Sequence, residues 1–273
     1  MHLTFTLHGQ PYHYYQAGQT GPILLMVHGF PLSHLQWQPQ IDYFQKQCRV
    51  VVPDLRGLGK SNSGTDPNLT ISMEDHADDL IALLDHLQIT EPVILMGLSM
   101  GGYIAWQMLR KYASRIKSLV MCHTRVIADT PEQSQARIKL AAETCQKQTA
   151  QLVEDVMFPR ILPPHAPASL VELLRKMSRT TTPEGLAANL RGIASRQASD
   201  DLLPKINMPA LVISGEFDAI SSPQEMGDWA RKMANHRFIA IPGVSHLSPL
   251  EAPDLFNRHL EEALPWLTGP KNC

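Results

Sequence analysis

Five residues, Gly97-Leu98-Ser99-Met100-Gly101, constrain this chain more than any others. They follow an apolar run at 92–96 and open a helix-like run at 102–110. The order is therefore strand, sharp turn, helix. A serine on such a turn sits in strained backbone and presents its hydroxyl at the end of the sheet. Gly97 and Gly101 flank it because a side chain at either place would collide with the neighbouring strand or helix. The helix that starts there aims free backbone N–H groups at any negative charge forming beside the serine. The five letters alone also describe a plain glycine-rich turn, and it is the strand before and the helix after that give them chemical meaning.

The rest of the chain repeats this alternation. Residues 2–7 and 12–16 read as an antiparallel hairpin at a sheet edge, joined by His8-Gly9-Gln10-Pro11. The runs 23–27, 49–53, 92–96, 116–121, 209–214 and 236–241 are apolar enough for strands covered on both faces. Helical periodicity appears at 34–47, 72–87, 223–233 and 252–267, with Pro253 in a first turn, where helices tolerate it. Buried strands alternating with helices imply a mostly parallel sheet with helices on both faces. From Thr124 to Leu203 the alternation stops. Proline punctuates that stretch, no strand-like run appears, and 136–149, 168–178 and 184–196 read as helices. The expected organisation is an α/β core of residues 1–123 and 204–273, an eight-stranded sheet, with a helical cap at 124–203.

With 273 residues the chain suits one α/β domain and one insertion. Its formal net charge of −2 offers no electrostatic reason to expect nucleic acid or an acidic membrane surface as partner. Cys48, Cys122, Cys145 and Cys273 lie far apart without CxxC or zinc spacing, and read as reduced thiols in a cytoplasmic protein. The start lacks a basic segment followed by a long apolar one, so no signal peptide is expected, and every apolar run is strand-sized.

A serine hydroxyl needs a base within hydrogen-bond reach, the base needs a carboxylate to fix its tautomer, and the developing oxyanion needs donors. His28-Gly29-Phe30, Asp54-Leu55-Arg56-Gly57-Leu58-Gly59-Lys60-Ser61, the Ser99 turn, Asp218 and His246 occur in an order that resembles the α/β-hydrolase family. The resemblance covers nearly the whole chain outside the cap. It implies Ser99 as nucleophile, His246 as base and Asp218 as acid, with the Phe30 and Met100 N–H groups as the oxyanion hole and His28 as a structural residue. Glu216 competes for the acid position. The alternative acid position after the preceding strand, Met121-Cys122-His123-Thr124, offers no carboxylate. The Gly-x-Gly-Lys-Ser at 57–61 invites a phosphate-loop reading, but Leu55 stands where the Walker pattern needs glycine, so a tight loop braced by Asp54 and Arg56 is expected. Trp37, Met157, Phe158 and Leu247 are candidate substrate contacts, and Arg125 is a candidate for holding a substrate carboxylate.

Serine at the nucleophile position argues against the family's haloalkane dehalogenases and epoxide hydrolases, which carry aspartate there. The motifs resemble bacterial carboxylesterases, 3-oxoadipate enol-lactone hydrolases and the non-metal haloperoxidase (perhydrolase) branch. The expected activity is hydrolysis of small-molecule carboxylic esters through an acyl-enzyme, with no metal or organic cofactor. Lactone hydrolysis and perhydrolysis by the same residues are the alternatives, and a small-molecule receptor with slow turnover is the alternative outside enzymes. Oligomeric state is not legible.

Overall fold

The computed structural model describes residues 1–61 and 63–269; Cys273 lies outside the described residues. The strands are β1 (His2–Leu7), β2 (Gln10–Ala17), β3 (Ile23–Val27), β4 (Arg49–Pro53), β5 (Val93–Leu98), β6 (Ile116–Cys122), β7 (Ala210–Gly215) and β8 (His236–Ile241). They form one eight-stranded sheet in the order β1-β2-β4-β3-β5-β6-β7-β8. The β1–β2 and β2–β4 pairs are antiparallel, and from β4 to β8 every pair is parallel. Strands β3, β5 and β7 are buried at every residue, which is why they read as continuous apolar runs rather than alternating ones.

The hairpin is tighter than the sequence implies. Leu7 pairs with Gln10, so the turn is His8-Gly9 alone, and both residues take positive φ (52° and 73°). That is the backbone of a two-residue turn matched to strand twist. Pro11 therefore lies inside β2, opposite Thr6, before β2 begins to pair with β4 at Tyr14. Its missing N–H costs the sheet no bond on that side.

Helices α1 (Gln38–Phe44), α2 (Met73–His86) and α3 (Met100–Tyr112) link the first strands. The stretch expected to be one helix from His34 opens with a 3-10 turn at His34–Trp37 before α1. Ser72 is the N-cap of α2 rather than its first residue. It accepts from the Asp75 N–H, and Asp75 accepts from the Ser72 N–H, a reciprocal cap. Between β6 and β7 the chain runs through α4 (Pro131–Lys147), α5 (Gln151–Ile161), α6 (Ala168–Thr180) and α7 (Pro183–Ala194). Helix α4 starts at Pro131, ahead of the expected 136, because Thr130 and Gln133 form a second reciprocal cap. Helix α5 was not expected. Its Pro159 lies in the last turn, and its buried face includes Glu154, which pairs with Arg179 of α6 at 3.0 Å.

Helix α7 joins this helical insertion to the sheet domain. An added Cβ at Gly185 would strike the Gly57 carbonyl, and one at Gly192 the Ile71 carbonyl. Asn189 of α7 donates to the Arg56 carbonyl at 3.1 Å and accepts from His76 Nε2 of α2 at 2.7 Å. Helix α8 (Pro223–Ala230) follows β7. The final helix is split into α9 (Ser248–Glu251) and α10 (Pro253–Thr268) at Ala252, whose φ of −141° is not helical. No helix among the described residues is long and apolar enough to cross a membrane.

His28 and His76 are fully buried, and burial pulls both down to about 4. In the unfolded chain each titrates near ~6.5. As pH falls from about 6.5 to about 4 the unfolded chain takes up protons that the fold refuses, and stability drops by up to about 1.4 kcal/mol per pH unit for each histidine. Urea unfolding at several pH values between 6 and 4.5 should therefore give a slope shallower by about this amount in His76→Gln than in wild type. Parallel slopes would mean that His76 accepts its proton inside the fold.

Candidate active site

The site gathers at the carboxyl ends of the parallel strands, where an open α/β sheet leaves a crevice. Ser99 follows β5 and caps α3 with φ 54° and ψ −112°. Its neighbours hold this strained backbone. The Ser99 N–H donates to the Cys122 carbonyl at 2.9 Å, and its own carbonyl accepts from Thr124 Oγ1 at 2.8 Å and from the Gly102 N–H at 2.9 Å. Three glycines permit the approach. An added Cβ at Gly97 would meet the Gly101 carbonyl, at Gly101 the Val27 carbonyl, and at Gly102 the Thr124 side chain. The third contact lies outside the five-residue pattern.

His246 follows β8 and is buried; its Nδ1 lies 2.9 and 3.0 Å from the two Asp218 oxygens. Its Nε2 is buried and has no partner among the described residues. With the carboxylate on Nδ1, the proton sits there and Nε2 is left as an acceptor. The loop is fixed by Glu251, which accepts from the N–H groups of Ser245 and Leu247 at 2.7 Å each, on either side of His246. Glu216, the competing acid, instead accepts from the Gly243 N–H at 2.8 Å and braces the same loop.

Asp218 lies in the turn just beyond β7 and serves several donors. Oδ1 accepts from the Ile220 and Ser221 N–H groups at 2.9 and 3.0 Å, and Oδ2 from Ser221 Oγ at 2.8 Å. A second imidazole, His123 at the end of β6, places Nδ1 2.9 Å from Oδ2 and Nε2 2.6 Å from Ser248 Oγ. Burial alone would push the Asp218 carboxyl up, but the two imidazoles hold it far below the usual carboxylate range. One nitrogen from each of His123 and His246 and one Asp218 oxygen lie within 4.8 Å of one another, a spacing also open to a metal ion. Here the atoms that face one another are engaged in hydrogen bonds.

Phe30, Ser99 and Met100 line one small pocket with Met157 of α5, with room for about one water (~20 Å³). Neither the Phe30 nor the Met100 N–H has a partner among the described residues. His28 is structural in its contacts, with Nε2 accepting from the Leu55 N–H and Nδ1 donating to the Gly29 carbonyl. Asp54 braces its loop by accepting from the N–H groups of His34 and Lys60. Arg56 reaches out of that loop to Asp79 of α2 at 2.7 Å.

The expected substrate contacts divide. Met157 lines the Ser99 pocket. Phe158, one residue on, faces an outer groove beside Phe217 and Leu162. Trp37 is not at the site: it is fully buried and packs on Phe256 at 6.1 Å between ring centroids, because the 3-10 turn rotates it into the core. Leu247 is likewise buried and lines none of these cavities. Arg125 borders a larger cavity, but its Nε is committed to Glu225 at 2.8 Å. Sequence reasoning missed His123 just beyond β6, Ser248 and Glu251 of α9, and Arg160 of α5, whose surroundings come from distant segments rather than from any periodic pattern.

The family described as the alpha/beta hydrolase fold matches residues 22–253, and the chain belongs to it. It is a hydrolase with relatives of matching length. A malate-bound structure of a thermophilic esterase from Thermogutta terrifontis is 36% identical with a TM-score of 0.91, over 98% of this chain and 100% of that one. The 3-oxoadipate enol-lactonase 2 of Acinetobacter baylyi is 28% identical over 262 residues, 96% of each protein. An enol-lactonase structure from Burkholderia xenovorans is 25% identical with a TM-score of 0.85, over 96% and 99% of the two chains.

Because a Cβ at Gly101 meets two backbone carbonyls, those of Val27 and His28, no side-chain rotation relieves it. Gly101→Ala should lower the unfolding free energy by about 2 kcal/mol, read by urea titration, within the ordinary range for overpacking. A change under about 0.5 kcal/mol would show that the turn relaxes freely.

Proposed function

We propose that this chain hydrolyses carboxylic esters of small molecules through an acyl-enzyme on Ser99. The observation that carries the reading is the state of His246: a buried imidazole with a carboxylate on Nδ1 and an Nε2 without a hydrogen-bond partner among the described residues. An orphaned buried acceptor costs stability unless something uses it. The strained Ser99, beyond the end of β5 on the same edge of the sheet, is the group that would.

In this reading Ser99 Oγ attacks the acyl carbonyl and passes its proton to His246 Nε2. The oxyanion forms between the Phe30 and Met100 N–H groups, and Asp218 stabilises the imidazolium. Collapse breaks the bond to the alcohol oxygen, which takes the proton from His246. Water then repeats the sequence on the acyl-enzyme, His246 removing its proton, and the acid leaves as Ser99 regains its hydrogen. No step draws on a cofactor. In a lactone the departing alcohol stays tethered to the acyl group. The enol-lactonase relatives keep that version as the second reading, and peroxide in place of water gives the perhydrolase version. The helical insertion acts as the lid of the site, and a cytoplasmic location agrees with the cysteine usage.

The deciding measurement is steady-state hydrolysis of p-nitrophenyl butyrate by wild type and Ser99→Ala. Wild type should turn over repeatedly, and the variant should lose at least ~10³-fold in kcat. A single stoichiometric burst from wild type would favour the receptor reading, and a variant that keeps its rate would remove Ser99 from the chemistry.

A further inference from the structure

The cavity of about 320 Å³ beside the Ser99 pocket is charged in a way the ester reading does not use. Tyr103, Arg137, Met157, Arg160 and Ile220 border both spaces, so the two adjoin. Its ionic groups do not balance. Arg125 pairs with Glu225, and Lys139 lies near Glu143 at the rim. Asp129 takes two cations at once, Arg137 at 2.7 Å and Arg196 at 2.9 Å. The Arg196 side chain is 3% exposed, lies over the Tyr103 ring, and its buried Nε has no partner among the described residues. The Arg160 side chain, on α5, has neither an ion pair nor a hydrogen bond among the described residues. The wall therefore carries a positive excess, with two guanidinium groups that still have donors to give.

We infer that this cavity binds a carboxylate of the substrate, with Arg160 as the principal ligand and the Arg196–Asp129–Arg137 cluster as the positive wall behind it. Guanidinium donors arranged in a fork suit a carboxylate. Burial of Arg196 away from water strengthens its attraction for an anion. The substrate class is then a monoester of a dicarboxylic acid, or a lactone bearing a carboxylate, with the reacting carbonyl at Ser99. This assignment rests on the ester-hydrolase reading. It also moves the anion contact from Arg125, whose charge Glu225 already meets, to Arg160.

The test compares monomethyl glutarate with uncharged dimethyl glutarate in wild type and Arg160→Gln, by proton release at constant pH. Wild type should favour the monoanion at least tenfold in kcat/KM, chiefly through KM. The preference should fall at least tenfold in Arg160→Gln and shrink with added salt. An unchanged preference in the variant, or a wild-type preference for the diester, would overturn the inference. If wild type cleaves neither ester, the ester-hydrolase reading fails, and calorimetric titration with glutarate then judges the cavity alone. Binding by wild type that weakens at least tenfold in Arg160→Gln sustains the site, and no binding by wild type removes it.

A separate observation concerns Asp218. The Ser248–His123–Asp218–His246 chain is closed in one sense only: with Nδ1–H of His123 donated to Asp218, Nε2 must accept the Ser248 hydroxyl proton. His123 is fully buried, takes φ 49°, and reaches neither cavity. The geometry points to His123 as a positioning residue that anchors the carboxylate and takes a share of its charge from His246. Asp218 and His246 are the titratable groups acting on it. Removing the donor in His123→Phe should leave more of the carboxylate's charge to the His246 Nδ1–H and move the proton resonance of that N–H downfield. His123→Asn, which keeps an N–H donor, should return the resonance toward wild type, and Ser248→Ala should shift it less than His123→Phe. Proton NMR of the His246 Nδ1–H reads this without turnover, and the variants should change kcat rather than KM. Coincident His246 Nδ1–H resonances in wild type and the three variants, or Asn behaving as Phe, would reduce His123 to a packing residue.

Discussion

The structure depends on a backbone crossing. Where α3 leaves β5, Gly101 passes against the carbonyls of Val27 and His28 at the end of β3. That approach lets the turns after β3, β5, β6, β7 and β8 carry Phe30, Ser99, His123, Asp218 and His246 at one edge of the sheet. A single methyl group at the crossing would separate β3 from α3, and with them the Phe30 and Met100 N–H groups, which come from the two sides of it. The strain at Ser99 is sustained because bonds from Thr124 and Gly102, and the bond to Cys122, define its backbone from three directions.

Electrostatics then decides what the convergence can do. A carboxylate buried like Asp218 is costly unless its lone pairs are met, and here backbone N–H groups, a hydroxyl and two imidazoles meet them. The result is a fixed negative charge that orients His246 and leaves its far nitrogen open. In the adjoining cavity the sign reverses, with arginines from α4, α5 and the end of the insertion outnumbering the acids. The same site thus separates an anionic support on the sheet side from a cationic wall on the helical side.

Much of this was legible because burial on both faces writes strands as unbroken apolar runs, and because Ser99, Asp218 and His246 each stand just beyond one. What was not legible depended on contacts between distant segments. Trp37 looked like a pocket residue because it follows the His28-Gly29-Phe30-Pro31 turn, yet one 3-10 turn is enough to rotate it into the core. Helix α5 was hidden by Pro159 and by Glu154, whose buried carboxylate is matched by Arg179 of another helix. His123 offered no carboxylate and so seemed silent; its part comes from Asp218, 95 positions away in the chain. Arg160 is distinguished from Arg125 only by what Arg125 already holds.

The packing of α7 has one more consequence. Because the carbonyls of Gly57 and Ile71 occupy the space where side chains would stand at Gly185 and Gly192, this helix is seated on the sheet domain as part of its floor. Helices α5 and α6 hold no glycine in contact of this kind, so in the lid reading any widening of the way in falls to them. Permanence and adaptability are divided between adjacent helices: the last helix of the insertion keeps the architecture, and in that reading its middle two can be re-cut for a different guest without loosening the foundation.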